Sequence, residues 1–94
     1  MTILSQHEDF ASYIGKRFEF EGQPVVLRLA TIDVKPSHAP DRTPFVLIFH
    51  GPVGEILPEG LHRVHIEDGP STELYVMPIH TVERDRQNYQ AVFN

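Results

Sequence analysis

Ninety-four residues leave room for one domain around one core, since domains usually run to roughly 100–200 residues. The absence of cysteine excludes disulfides, zinc ribbons and thiol chemistry and suits a reducing compartment. Thirteen acidic against eight basic side chains give a net charge of −5, which opposes a phosphate backbone and argues against nucleic-acid binding.

The first residues, Met1 to Glu8, lack the basic and then apolar regions of a secretory signal. Ser5 followed by Glu8 reads as a capping box, which predicts a helix over Gln6 to Ile14. Phe10, Tyr13 and Ile14 fall on one stripe with His7 one turn earlier, and Gly15 is placed to end the helix. A helix this short is unstable alone in water, so its stripe must dock on something.

From Lys16 the apolar period becomes two, with Phe18 and Phe20 on one face. Val25 to Val34 reads as a strand in which Leu27 and Leu29 share one phase and Ile32 and Val34 the other. A bulge near Ala30 and Thr31 accounts for the slip. The segment 35–44 holds three prolines and no apolar pattern, and reads as an exposed loop. Phe45 to Phe49 is apolar in both phases, as in a central strand covered on both sides. It is also the longest strongly apolar run, far short of the ~18–20 residues that span a bilayer, so the expected location is the cytoplasm or an assembly built there. Leu57-Pro58-Glu59-Gly60 suits a turn, Leu61 to Glu67 and Thr72 to Ile79 form a hairpin around Asp68-Gly69-Pro70, and Tyr89 to Phe93 is the last strand. The prediction is a single mainly β domain over 1–94, with a short N-terminal helix in 5–15 and about six strands in 16–94. The strands form a small curled antiparallel sheet or a partly open barrel.

Six histidines invite a metal site, but His62 and His65 are three apart on a strand and point to opposite faces. Gly51-Pro52-Val53-Gly54 follows a strand as phosphate loops do, yet lacks their Lys-Ser/Thr ending and loses an N–H to proline. No serine stands in a Gly-x-Ser-x-Gly elbow. The expectation is therefore no enzyme, no cofactor and no metal. What remains is a second apolar face, formed by Val46, Ile48, Tyr75, Met77 and Ile79, out of phase with the core set Phe45, Leu47, Phe49, Leu74 and Val76. Two covers suit it, the N-terminal helix stripe, which is the favoured one, or another protein chain.

Several segments resemble an uncharacterised family of small bacterial β-rich domains. They are 45–52, Leu57 with Gly60, 74–78, 89–94, and Phe10 with Gly15. The sequence departs from that pattern at His50, where a longer basic residue is usual, and at His62, where an aromatic is usual. Some members are associated with genes for phage-tail-like collar or fibre proteins, so the resemblance implies a structural or accessory role in an assembly. The leading expectation is a non-enzymatic interaction domain whose partner is a second copy or a larger protein assembly. The alternative is a small-ligand-binding barrel with a pocket lined by Phe18, Phe20, Leu27, Phe49 and His62, which would need a few convergent polar groups.

Overall fold

A computed structural model describes residues 4–36 and 43–94. The tip of the proline-rich loop, 37–42, lies outside the described residues. A short helix α1 (His7–Ala11) precedes six strands, β1 (Arg17–Phe20), β2 (Val26–Val34), β3 (Phe45–Gly51), β4 (Gly60–Ile66), β5 (Ser71–Pro78) and β6 (Gln87–Phe93). The strands are antiparallel and close into a barrel in the order β1-β2-β3-β6-β5-β4, with β4 returning to β1. Among the described residues no helix is long and apolar enough to cross a membrane.

Alternation builds the core. The inward phases of the strands supply Phe18, Phe20, Leu27, Leu29, Phe45, Leu47, Phe49, Val64, Ile66, Leu74, Val76, Tyr89 and Ala91, all buried. The expected slip in β2 is present, because the register with β3 runs Leu29 to Phe49 and then Thr31 to Ile48. The extra residue turns Ile32 inward toward the core and leaves Asp33 outside, where Lys35 Nζ donates to its carboxylate at 2.6 Å. Tyr89 is fully buried, and its hydroxyl accepts a hydrogen bond from the Leu57 N–H at 2.9 Å, which ties the 52–59 loop to the barrel wall.

The helix differs from expectation in length, cap and position. It ends at Ala11, with turns carrying the chain to Gly15, whose φ of +88° is the left-handed conformation that ends helices. Its cap is shifted by one residue from Ser5 and Glu8. Gln6 is the N-cap, and the Asp9 carboxylate accepts the N–H groups of Ser5 and Gln6, each at 3.1 Å. Because the helix is short, Ile14 falls off the stripe and is exposed. Phe10 alone is fully buried. It packs against Phe45 and Phe93 at the barrel end, with ring centroids 6.1 and 5.5 Å away. Tyr13 lies over Gly69 in the β4–β5 turn, so close that a Cβ there would stand 2.6 Å from the ring. The helix thus plugs one end of the barrel and does not lie on Val46, Ile48, Tyr75, Met77 and Ile79, as the sequence favoured. Its aromatic partners belong to the inward phase.

Phe10 is therefore central to stability. Phe10→Ala is expected to destabilise the domain by about 3–5 kcal/mol in urea unfolding, as full burial of an aromatic requires. A loss below about 1 kcal/mol would show that the plug is dispensable. Tyr89→Phe is expected to cost about 1–3 kcal/mol by orphaning the buried Leu57 N–H, and an unchanged midpoint would show that this bond is not needed.

Candidate functional site

The outer wall of β3, β6, β5 and β4 carries the candidate site. Val46 and Ile48 point outward from β3 and are half-buried by their neighbours. Val46 is opposite Val92 on β6, and Ile48 is opposite Gln90, which is in turn opposite Met77 on β5. The Gln90 amide donates to Met77 Sδ at 3.4 Å. Tyr75 is opposite Leu61 on β4. Leu61, Tyr75 and Val92 are 65, 49 and 46% exposed, so large apolar side chains from four strands form one strip with three of its members open to solvent. Ile79 is half-buried and lies beyond the end of β5, where its N–H donates to the Asn88 carbonyl at 3.0 Å.

The strip crosses the shortest ladder of the barrel. The β5–β6 ladder has two register pairs, Met77 with Gln90 and Pro78 with Tyr89. Continuing that register, Tyr75 would face Val92, but these two are not paired. Leu74 and Val76 remain buried on the inner side. An unpaired strand edge beside apolar side chains is a surface on which another strand can add. Tyr75 also donates its hydroxyl to Glu59 Oε2 at 2.8 Å. That hydrogen bond, the Glu59 charge and some loss of water raise the phenol above its ordinary 10.0.

The residues of the interior pocket do not line a site together. Phe18, Phe20, Leu27 and Phe49 are core side chains with 0, 2, 0 and 0% exposure, and Phe18 meets Phe49 edge-on at 5.0 Å. His62 packs its ring edge-on to Phe20 at 5.5 Å, and its Nε2 is 2.7 Å from the Pro58 carbonyl oxygen. Three rings and a leucine thus fill the space that a ligand would use. His65 faces the other way, with Nδ1 2.6 Å from Ser71 Oγ and Nε2 3.1 Å from Glu21 Oε2.

Leu61 and Val92 belong to the strip but escaped the sequence reading. Both sit in mixed alternations, Leu61 in phase with Arg63 and His65, and Val92 in phase with Gln90. On neither strand does that outward phase read as apolar, and only the cross-strand register assembles an apolar strip from it.

At the far end of β3, His50 titrates below its ordinary 6.5. Partial burial removes water from the imidazolium, and Arg86 adds repulsion, against an opposing pull from Glu83 and Asp85. Between its lowered value and 6.5 the unfolded chain holds a proton that the folded chain does not. This contribution therefore lowers stability as the pH falls through that window and leaves it level above 6.5. Thermal midpoints should decline from pH 7.5 towards acid, and His50→Gln should flatten part of the decline. An unchanged slope in the variant would assign the effect to another group.

No curated protein and no solved structure matches the chain. A family model does, over residues 5–93, nearly the whole length. By that match the chain belongs to the family described as the domain of unknown function DUF6916.

Proposed function

We propose that this domain is a non-enzymatic interaction module that self-associates through the outer strip of β3, β6, β5 and β4. The observation that carries the reading is the exposure of Leu61, Tyr75 and Val92 together, beside unpaired edges of β5 and β6. Burying such side chains is worth roughly 1.5–3 kcal/mol each. A second copy placed against the strip gains that burial and can extend the short β5–β6 ladder with its own backbone. The non-enzymatic part rests on the sequence, which offers neither a Gly-x-Ser-x-Gly elbow nor a cysteine nucleophile. An accessory role in a larger assembly, such as a phage-tail-like particle, is the setting that the sequence resemblance suggests for such a module. The ligand-binding barrel is the weaker reading, because its lining residues are packed core.

Sedimentation from about 10 μM to 1 mM tests the proposal, since a 1 mM dissociation constant corresponds to only about −4 kcal/mol. The mass is expected to rise toward that of a dimer. Ile48→Lys and Val92→Lys should each weaken association at least about tenfold, the equivalent of losing about 1.4 kcal/mol, while leaving the thermal midpoint of the isolated chain within a few degrees. A monomer throughout that range, or variants that associate as well as the parent, would remove self-association through this face.

A further inference from the structure

A second region of the outer wall has the opposite chemistry. Arg17 on β1 is directly opposite Arg28 on β2, and Arg28 is directly opposite His50 on β3. Three basic side chains therefore stand on successive strands in one row of a chain whose net charge is −5. Like charges directly opposite each other in a sheet destabilise it. Carboxylates stand near two of the three, with Glu83 and Asp85 acting on His50 and Glu67 on Arg17. Among the described residues Arg28 makes no ion pair, and Arg17 has one at the long distance of 3.9 Å, from Nε to Glu67 Oε1. Arg28 is held in place by its Nη1, which donates to the Gly15 carbonyl at 2.5 Å, and the rest of its guanidinium fork remains available.

The row borders a cleft of about 500 Å³, a size that suits a small organic molecule. Its other walls are apolar, formed by Pro24, Val26 and Pro52. We propose that this cleft binds a small organic oxyanion, a carboxylate or phosphate ester, with Arg17 and Arg28 on the charged group and Val26 and the two prolines against its carbon skeleton. Arginine suits the task because its planar fork matches both carboxylate and phosphate in a bidentate fashion. A bound anion would also relieve the repulsion between Arg17 and Arg28, so the arrangement that costs the free protein stability favours the bound one. The cleft is separate from the apolar strip, and the two share only β3, where His50 and the pair Val46 and Ile48 occupy opposite ends of one outward phase.

Titration of the full chain with phenyl phosphate and with inorganic phosphate at constant ionic strength, followed by backbone amide chemical shifts, tests this. Saturable shifts are expected at Arg17, Val26, Arg28 and His50, with phenyl phosphate binding at least about fivefold more tightly because of the apolar walls. Arg17→Gln and Arg28→Gln should each weaken binding at least about tenfold, whereas Arg63→Gln, an exposed arginine on β4, should not. Circular dichroism of each variant confirms that the fold persists. Shifts that never saturate, equal loss in Arg63→Gln, or equal affinity for the two phosphates would overturn the site as described.

Discussion

One extra residue in β2 sets the rest of the barrel in place. Between Leu29 and Thr31 the register with β3 slips, and every side chain after the slip changes face. Without it the regular alternation from Leu27 and Leu29 would carry Thr31 and Asp33 inward and Ile32 outward. A carboxylate would then enter a core that holds no buried charged side chain among the described residues. With the slip, Leu27, Leu29 and Ile32 all serve the core, while Asp33 meets Lys35 in solvent. The same place receives the end of the helical segment. Gly15 N–H donates to the Leu29 carbonyl at 2.7 Å, Leu29 N–H donates to the Lys16 carbonyl at 3.2 Å, and Arg28 reaches the Gly15 carbonyl. The bulge thus fixes the core phase, the return of the chain from α1 into β1 and the position of one arginine of the basic row.

The two ends of the β5–β6 joint are held differently. At one end the ladder is reinforced beyond the strands, where Ile79 N–H bonds to Asn88 and the Ile79 carbonyl accepts from both Thr81 Oγ1 and Gln87 Nε2. The opposite end of β6 carries Phe93, stacked on Phe45 at 4.5 Å and packed against Phe10 of the helix. Aromatic packing there replaces ladder hydrogen bonds. Such contacts hold the rings without satisfying strand edges, which explains how the barrel can close while Tyr75 and Val92 remain unpaired with each other. The helical plug thus sits at the end of the barrel where the β5–β6 ladder stops.

Legibility in the sequence followed the range of the interactions. Phe45 to Phe49, the bulge, the β4–β5 hairpin and the inward phases were readable because alternation and turn chemistry act over a few residues. The helix was harder. Ser5 and Glu8 offered a plausible cap, but Asp9 reaches both N–H groups from the next position, and Gly15 is separated from the helix by turns. Its docking place was misread because Phe10 fits either an outer sheet face or a barrel end, and only closure creates the end. Five residues of the strip's neighbourhood could be named from their phase, whereas Leu61 and Val92 could not, since register across strands decides which polar-looking phases become apolar together. The basic row was invisible for the same reason, as Arg17, Arg28 and His50 are eleven and twenty-two residues apart and share no motif.

Closure also explains why the outer wall can carry two opposed chemistries. A filled barrel buries one phase of each strand and leaves the other facing outward. That outer wall is divided along β3. Toward Val46 the outward phase joins Val92, Met77 and Tyr75, where solvent contact is unfavourable and removing water is the available gain. Toward His50 it joins Arg28 and Arg17, where repulsion is the strain and an anion is the available relief. Neither arrangement helps the isolated fold, because exposed apolar area and opposed like charges both subtract from a margin that is thin in a domain of this size. Each gains only when something else is present, which is the physical reason for proposing binding at the wall while the interior carries stability.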